Sequence, residues 1–397
     1  MNISDTIRYI GVDDTDIDLF ESQYKVPEGV SYNSYLILDE KVAILDTADQ
    51  RKSDEWRARL TEGLQGRTPD YLIVHHMEPD HAANIAAVAS AYPEAKIILS
   101  AAAMKMLPNF FPSIDLTPRC QVVKEGDTLS LGRHTLQFIA APMVHWPEVL
   151  MSYDQTERVL FSADGFGKFG ALCNEAYTPD GTLADWACEA RRYYFNIVGK
   201  YGMQVQNVLK KASALDIQVI APLHGPVLKG DDMAKAISLY DTWSKYEPET
   251  EGVFVAYASI HGGTKEAALK MVEILKQKGC PKVAVADLTR DDQAEAIEDA
   301  FRYPTLLLLA ASYDAGLFPP MHDFLYHLQI KGYQRRRFAL VENGSWAPSA
   351  GKVMTEMISQ MKQCEIVGPL VTIRSRMKPS DLPQLEALAD AILRIEN

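Results

Sequence analysis

The chain has 397 residues, of which 47% are hydrophobic and 23% charged, which predicts two or three globular domains and excludes a disordered, collagenous or coiled-coil chain. The formal net charge of -13 disfavours nonspecific binding to nucleic acid or to an anionic membrane, so neither is expected as a partner. No apolar run approaches the roughly 20 residues that cross a bilayer, and the acidic residues 1–20 do not resemble a secretory leader.

The cysteine pattern favours a reducing compartment. The odd count of five and the absence of C-x-x-C spacing indicate unpaired thiols, and we expect a cytoplasmic protein without a zinc ribbon. Unpaired cysteines usually behave as small buried hydrophobes, and we expect this of all five. They are Cys120, Cys173, Cys188, Cys280 and Cys364.

The first half of the chain has the pattern of strands interrupted by helices. Tyr32–Leu38 and Val42–Asp46 predict a hairpin that turns at Asp39–Glu40. Further strands are predicted at Tyr71–His75, Lys96–Ser100, Gln121–Val123, Thr135–Ala140, Val149–Tyr153, Val159–Ser162 and Ile217–Ala221. Helices are predicted at Asp54–Leu64, Asn84–Tyr92 and Asp185–Lys211. Hairpins mixed with helices indicate two sheets covered by helices rather than one parallel sheet.

A cluster of potential metal ligands directly follows the strand that begins at Tyr71. The segment reads H-M-E-P-D-H, so His76, Glu78, Asp80 and His81 fall within six positions. A loop that leaves a strand end can turn several such groups toward one centre. The alternative is a polar surface loop with solvated histidines, but the density of ligand-type side chains favours a metal site.

Three more residues of the same chemistry follow later strands. They are His145, Asp164 and His224. Seven candidates are too many for one tetrahedral site and suit two metals about 3.5–4 Å apart, with Asp164 as the candidate bridge. Four imidazoles and three carboxylates are compatible with iron, although composition alone leaves zinc open. His75 does not fit the ligand pattern, and we expect it to be buried or to lie behind the ligands.

The second half of the chain alternates regularly between strands and helices. A polar, acidic segment at Ser244–Gly252 predicts the linker, and we place one domain at 1–248 and the other at 249–397. Five β-α units predict a doubly wound parallel sheet, whose ligands bind beyond the carboxyl ends of the strands. The units are Val253–Tyr257 with Thr264–Lys278, Val283–Asp287 with Asp291–Phe301, Thr305–Ala311 with Pro319–Lys331, Phe338–Glu342 with Ser349–Met361, and Val367–Ile373 with Pro379–Ile395.

The loop after the first of these strands has the composition of a phosphate-binding turn. Hydroxyls and glycines precede a helix, so backbone N–H groups and the helix dipole would converge on an anion. Two later strand ends carry glycines and aromatic residues that could flank a planar ring, although core or rim packing would explain the aromatics equally well. The candidate contacts are Ser259, Ile260, His261, Gly262, Gly263 and Thr264 in the first loop, Ser312, Tyr313, Asp314, Ala315 and Gly316 in the second, and Asn343, Gly344, Ser345 and Trp346 in the third.

The two halves together resemble the flavodiiron proteins, also called A-type flavoproteins. The first half resembles the metallo-β-lactamase superfamily, whose dinuclear zinc hydrolases carry H-x-H-x-D-H where this chain has H-x-E-x-D-H, with Glu78 in place of the second histidine. The second half resembles flavodoxin, although Gly263 stands where asparagine is common and His261 precedes Gly262. The resemblance covers essentially the whole chain. It implies an N-terminal αββα sandwich followed by a flavodoxin-like doubly wound sheet.

The resemblance also implies cofactors and an activity. His76, Glu78 and His145 would bind one iron, Asp80, His81 and His224 the other, with Asp164 bridging. FMN would bind the second domain, with its phosphate on Ser259–Thr264. The implied reaction is the reduction of O2 to water, of NO to N2O, or of both.

The partners implied by the resemblance are an electron donor and a second copy of the chain. Rubredoxin or a similar small protein would supply electrons, because no nicotinamide site is recognisable. In the family, chains associate head to tail, so we expect a homodimer or a dimer of dimers. Glu78 and Trp146 are candidates for lying between the irons and the partner's flavin.

Two other functions stay open at this point. One is a zinc hydrolase fused to a flavodoxin domain, which Glu78 disfavours. The other is an electron carrier whose metal site is vestigial, which the full ligand set disfavours. The preference between O2 and NO cannot be read from the sequence.

Overall fold

The computed structural model describes residues 3–173 and 183–394, and contacts divide the chain into two compact units, Met1–Asp241 and Thr242–Asn397. The division falls within a helix and slightly before the predicted linker. The domain boundary predicted between residues 248 and 249 therefore stays a prediction.

The strands of the first unit form two six-stranded sheets in the part of the chain that the structure describes. The first sheet has the order β1-β6-β7-β8-β9-β10, and β2 with β5 and β3 with β4 form small separate pairs. The second sheet follows the sequence order from β11 to β16. The strands are β1 (Ile7–Tyr9), β2 (Val12–Asp14), β3 (Leu19–Phe20), β4 (Tyr24–Lys25), β5 (Val30–Tyr32), β6 (Tyr35–Leu38), β7 (Val42–Leu45), β8 (Tyr71–Ile73), β9 (Lys96–Leu99), β10 (Cys120–Val122), β11 (Thr128–Ser130), β12 (Thr135–Ala140), β13 (Leu150–Asp154), β14 (Val159–Phe161), β15 (Val219–Ala221) and β16 (Leu228–Lys229).

The two sheets pack face to face around one apolar core. Ile37 and Leu45 of the first sheet share a buried cluster with Phe138 and Phe161 of the second. Helices cover the outer faces, so the expected αββα sandwich is confirmed. The helices are α1 (Ser53–Leu64), α2 (Pro79–Ala82), α3 (Ile85–Ala91), α4 (Ala101–Phe110), α5 (Leu183–Tyr193), α6 (Gly202–Ala212) and α7 (Gly230–Ser244).

The second unit is a doubly wound sheet. Its main strands pair in parallel in the order β18-β17-β19-β21, followed by β22 and β23, which is the 2-1-3-4-5 order of flavodoxin-like folds. Helices α8 and α12 pack on one another, as do α10 with α9 and with α11, which gives one helical layer on each face. The elements are β17 (Val253–Ala258), α8 (Gly263–Gln277), β18 (Val283–Asp287), α9 (Gln293–Arg302), β19 (Thr305–Tyr313), β20 (Gly316–Leu317), α10 (Pro319–Ile330), β21 (Arg337–Asn343), α11 (Ala350–Ser359), β22 (Glu365–Ile366), β23 (Val371–Ile373) and α12 (Leu382–Leu393).

Two predicted elements are interrupted. The single helix predicted at Asp185–Lys211 is wrong, because a π turn at Tyr194–Val198 and a 3-10 turn at Gly199–Tyr201 separate α5 from α6. Glycine lowers helix propensity, and π turns are frequent at functional sites. The strand predicted at Val367–Ile373 is also broken, because Gly368 has a φ of 70° and proline follows it.

Three helices were not predicted, namely the single turn α2 in the ligand loop, α4 and α7. α4 begins where the Ser100 hydroxyl accepts the Ala103 N–H, and its alanines favour a helix in spite of Pro108. α7 has acidic residues in its first turn and extends to Ser244, the first residue of the predicted linker. The proline inside α4 and the overlap of α7 with the polar segment at Ser244 both disfavour a helix in the sequence.

The expectation that all five cysteines are buried is wrong. Cys173 and Cys188 are exposed, Cys120 and Cys364 are half-buried, and Cys280 is buried. None of the five forms a disulfide in the structure. No helix in the described part of the chain combines the length and the apolarity needed to span a bilayer.

Candidate metal centre and cofactor cleft

Strand ends from both sheets bring the seven predicted ligands into one pocket. His76 follows β8 of the first sheet, while Asp164 and His224 follow β14 and β15, which are parallel neighbours in the second. His145 lies in the loop between β12 and β13. A single turn of helix separates the ligands of the first loop, since Glu78 precedes α2 and both Asp80 and His81 lie within it.

The seven side chains form two groups. In the first, the ligand atoms of His76, Glu78, His145 and Asp164 all lie within 4.8 Å of one another. The second has the same compactness and consists of Asp80, His81 and His224. This partition matches the one that the family resemblance implied.

Asp164 faces both groups with different oxygens. Its Oδ2 lies 3.0 Å from His145 Nε2 and 3.4 Å from His76 Nε2. Its Oδ1 lies 3.3 Å from His81 Nε2 and 3.9 Å from His224 Nε2. Because each oxygen serves one group, the carboxylate has the orientation that a bridge between two metals requires.

Buried carboxylate oxygens in the pocket lack ordinary partners. Both oxygens of Asp80 and both of Asp164 make no hydrogen bond with the described residues. The imidazoles of His145 and His81, 3.0 and 3.3 Å from Asp164, offset the cost of burying its charge only when they are protonated, whereas coordination of a cation would offset it directly. The donor set has no thiolate, which suits an imidazole- and carboxylate-binding metal such as iron. These residues therefore fit two metal ions.

Neighbouring carboxylates raise the pKa values of His76 and His145. Burial alone lowers the pKa of His145, but Asp164 and Glu78 outweigh it and raise the pKa to about 9. Burial also lowers the pKa of His76, but Asp164, Glu148 and Glu78 outweigh it and hold that pKa well above its usual range. Burial raises the pKa of Glu78, but hydrogen bonds with His145 and His76 lower it to about 2.

These pKa shifts predict that metal binding releases protons, because a coordinating imidazole must be unprotonated. Affinity for Fe²⁺ should rise by about tenfold per pH unit for each proton displaced, up to pH 9, where His145 loses its proton unaided. The stability of the folded, metal-free protein changes with pH in the opposite direction to the affinity for Fe²⁺. The stabilisation from charged His145 is fully present below its unfolded pKa and disappears as pH rises through 9.

Anaerobic calorimetry measures this linkage. Titration of the metal-free protein with Fe²⁺ at pH 7, in buffers of different ionisation enthalpy, should give heats that depend on the buffer. Heats independent of the buffer would show that no proton leaves and would contradict the assigned charge state.

A second layer of residues orients the ligands. Glu148, which is 2% exposed, accepts the N–H of His76 Nδ1 at 2.7 Å and the backbone N–H of Met77 at 2.8 Å. His224 Nδ1 donates to the carbonyl oxygen of Ser31 at 2.7 Å. These bonds direct each Nε2 into the pocket. Sequence reasoning missed Glu148, because only the folded chain brings it beside His76.

Glu148→Ala is expected to weaken iron binding by about ten- to a hundredfold, because the ring of His76 loses its orienting acceptor. Glu148→Gln keeps an acceptor oxygen and should restore part of the affinity. Competition with a chelator measures both. Equal losses in the two variants would mean that the negative charge of Glu148, rather than its hydrogen bond, supports the site.

Aromatic side chains enclose the metal-binding pocket. Phe20 and Tyr193 contact the ring of His224, with centroids 5.4 and 5.6 Å apart. The Tyr193 hydroxyl is buried without a hydrogen-bond partner among the described residues, and burial with the charge of Asp164 holds its pKa well above the usual value. Trp146 lies edge-on to His76 at 5.3 Å and stacks on Phe110. Tyr193 was not predicted, because a lone tyrosine in a helix carries no sequence signal.

His75 is buried and makes no contact with the seven ligands, as expected. Its Nδ1 pairs with Asp46 Oδ2 at 2.5 Å, and its Nε2 lies 2.8 Å from the Ser152 hydroxyl. The backbone N–H of His75 donates to the other oxygen of Asp46 at 2.7 Å. His75 therefore anchors the strand end from which the ligand loop departs.

The second unit has a cleft of about 700 Å³ at the carboxyl ends of β17, β19 and β21. This is the switch point of a doubly wound sheet, and the volume suits a nucleotide-sized cofactor. The lining includes thirteen of the fifteen predicted contacts; Gly262 and Gly316 do not line it. The residues are Ser259, Ile260, His261, Gly263, Thr264, Ala311, Ser312, Tyr313, Asp314, Ala315, Asn343, Gly344, Ser345, Trp346, Ala347, Ser375 and Arg376.

The first loop of this cleft has the backbone of an anion site. Gly262 is the N-cap of α8 with a φ of 89°, and its N–H donates to the Ser259 hydroxyl at 3.1 Å. A Cβ on Gly263 would lie 2.1 Å from the carbonyl oxygen of Ser375, so no larger residue fits. The start of α8 therefore presents N–H groups to the cleft.

A fourth loop, after β23, was missed by the sequence reasoning. Ser375 is held by Asn343, which donates from its side-chain amide to the Ser375 carbonyl at 2.9 Å and accepts the Ser375 N–H at 3.0 Å. Arg376 pairs with Glu266 in the first turn of α8 at 3.1 Å. The guanidinium therefore lies beside the anion-binding turn. At the mouth of the cleft, Trp346 is 88% exposed.

Comparison with known proteins extends over both units. The family model described as ODP family beta lactamase matches residues 30–225. A nitric oxide reductase of Moorella thermoacetica is 28% identical over 398 residues, covering 98% of this chain and 97% of that protein. A coenzyme F420H(2) oxidase of Methanothermobacter marburgensis is 31% identical over 374 residues, covering 90% and 89%. The solved structure of rubredoxin oxygen:oxidoreductase from Desulfovibrio gigas gives a TM-score of 0.93 at 26% identity, covering 99% and 97%.

Proposed function

Because the chain belongs to the flavodiiron protein family, we propose that it reduces O2 to water, NO to N2O, or both, at two irons in its first unit. The observation that carries this proposal is Asp164, whose two oxygens face two separate groups of ligands. FMN is the cofactor proposed for the cleft of the second unit, and the anion-binding turn before α8 supports this assignment.

The proposed iron ligands are the seven predicted from the sequence. When bound, two irons and FMN together supply the four electrons that reduce O2 to water, or the two that reduce a pair of NO molecules to N2O. Asp164 would fix the spacing of the two positions, and Glu78 and Asp80 would each add negative charge to one of them. The protonated Tyr193 hydroxyl would donate a hydrogen bond inside the pocket, since its pKa is held high.

Gas consumption tests this function. Protein that contains iron and FMN and has been reduced anaerobically should consume O2, NO or both, as measured with gas electrodes. N2O should appear when NO is consumed. With O2, added catalase should return no oxygen, because no peroxide is released. Stoichiometric peroxide would indicate that a bound flavin reacts alone and would overturn the proposal.

Electrons would come from rubredoxin or a similar small donor. The name of the Desulfovibrio gigas relative supports a rubredoxin-type donor for that protein, and we extend it to this chain. The donor is tested by reduction of the bound flavin by prereduced rubredoxin under anaerobic conditions, compared with reduction by flavodoxin.

The cytoplasm is the compartment that we propose.

We propose a head-to-tail homodimer or a dimer of dimers, in which FMN of one chain serves the irons of another. The exposed Trp346 and Ile260 around the cleft mouth support a covering partner surface. Co-expression of two inactive variants tests the arrangement: Asp164→Asn removes iron and Thr264→Phe removes FMN. Mixed dimers should recover part of the gas turnover, because one intact flavin then faces one intact iron pair. No recovery in isolated mixed dimers would place electron transfer within a single chain.

A further inference from the structure

A small apolar cleft lies in the first unit outside the metal-binding pocket. Its volume is about 170 Å³, and it opens between α6, α7 and the outer face of the second sheet. Eight of its nine lining residues are apolar, and the polar one, Ser213, is exposed. The lining residues are Leu160, Phe166, Leu209, Ala212, Ser213, Leu215, Ile217, Ile220 and Ile237.

Two walls of this cleft lie on the strands that precede two of the metal ligands. Leu160 and Ile220 pair across β14 and β15, whose carboxyl ends lead to Asp164 and His224. Phe166 is held in the turn that carries Asp164, because the N–H of Gly167 donates to the Asp164 carbonyl at 3.1 Å. A displacement of this turn would therefore move both the cleft wall and the bridging carboxylate.

Phe166 also links the cleft to the aromatic layer around the metal ligands. Its ring stacks on Tyr240 with centroids 4.3 Å apart, and its backbone N–H donates to the Tyr240 hydroxyl at 2.7 Å. Tyr240 is buried. Burial and the charge of Asp164 raise the pKa of its hydroxyl, as they do for Tyr193. Phe166 therefore lines the cleft with Tyr240 packed against it, in the turn that carries Asp164.

The chemistry of the cleft selects its occupant. Water needs two to four polar partners, and an apolar lining does not provide them. The volume is close to that of the roughly 150 Å³ engineered cavity that stays dry and binds benzene or xenon, and it is too small for a peptide. Small apolar molecules pass favourably from water into such a space.

We propose that this cleft is a binding site for an uncharged diatomic gas and that it delivers O2 or NO to the centre past Phe166 and Tyr240. The inference rests on the proposed function, since it is that function which makes a gas the substrate. The site concentrates the gas beside the Asp164 turn without contributing a ligand to the metals. Its occupation should therefore affect capture of the gas and leave metal content unchanged.

Xenon is the first probe. Crystals of the holoprotein pressurised with xenon should show an atom between Leu160, Ile220 and Ile237. A cleft that stays empty while xenon binds elsewhere in the same crystal would overturn the proposal. This readout does not depend on turnover, so it separates the cleft from the proposed activity.

Filling the cleft is the second test. Ala212→Phe and, independently, Ile237→Trp place a ring in the cleft, and kcat/KM for the gas should fall about threefold or more while kcat at saturation stays close to wild type. Met203→Trp adds a ring on an exposed part of α6 and is the matched control. Iron and FMN content should match wild type in all three.

The outcomes are distinguishable. If the wild type consumes neither O2 nor NO, the proposed function fails. Suppose that the wild type consumes gas, and that both filled variants exclude xenon but keep wild-type kcat/KM. The proposed function then stands and the delivery site is wrong. Lower kcat/KM in both filled variants but not in the control supports the inference.

Discussion

The substitution Asp164→Asn is expected to remove most of the iron from both positions and to lower gas turnover by about a hundredfold or more. Asparagine keeps one amide oxygen and replaces the other by NH2, so it cannot bridge two metals and carries no negative charge, whereas Oδ1 of Asp164 faces one group and Oδ2 the other. His76 and His145 also lose the carboxylate that most raises their pKa. FMN should stay bound, because its proposed site lies in the other unit.

The matched control is Asp154→Asn. Asp154 is as buried as Asp164 and also pairs with a histidine, since its Oδ2 lies 2.9 Å from His134 Nδ1, but it lies outside both ligand groups. Metal analysis and thermal unfolding should show that this control loses stability without losing iron. Iron at two per chain in folded Asp164→Asn protein would refute the bridge.

The substitution Thr264→Phe is expected to lower FMN affinity by about a hundredfold or more, since burying an unsatisfied anion costs several kcal/mol. Thr264 lies in the first turn of α8, is 3% exposed and lines the cleft where N–H groups converge. A phenyl ring there would occupy the space proposed for the phosphate. Iron content should match wild type, and flavin fluorescence after dialysis measures the loss.

Thr305→Phe controls for the cost of a large ring. Thr305 is equally buried but begins β19, at the end of the sheet away from the cleft. It should lower stability while the folded fraction keeps its flavin. Full flavin occupancy in Thr264→Phe would place the phosphate elsewhere.

The sequence predicted the layered architecture because burial leaves strong periodic patterns. The continuous apolar runs of β19 and β21 and the apolar face of α8 are local properties of the chain. The break between α5 and α6 was missed, because the apolar periodicity continues through the π turn. Such a turn depends on tertiary packing around Tyr194–Val198, which a single sequence does not display.

The same distinction applies to the candidate site. The seven ligands were identifiable because four of them fall within six positions after one strand and three more follow later strands, and the structure places all seven in two groups. Glu148, Tyr193 and Arg376 were not identified, because each acts through a neighbour distant in sequence. A search for residues one layer behind ligands requires coordinates.

The two alternatives from the sequence make different predictions about the metal. A fused zinc hydrolase would keep zinc after growth in iron-rich medium and would cleave an ester or lactone. A vestigial site would leave the flavin as the sole redox group. Glu78 and the two-group geometry disfavour both, since the seven residues supply four imidazoles and three carboxylates for two metals.

An anaerobic reductive titration of protein purified from iron-rich medium tests the central claim most directly. We expect the protein to take up four electron equivalents per chain, two that bleach the flavin and two that reduce the irons. Two equivalents, all accounted for by the flavin, in protein that contains two metals per chain would contradict a redox-active di-iron centre.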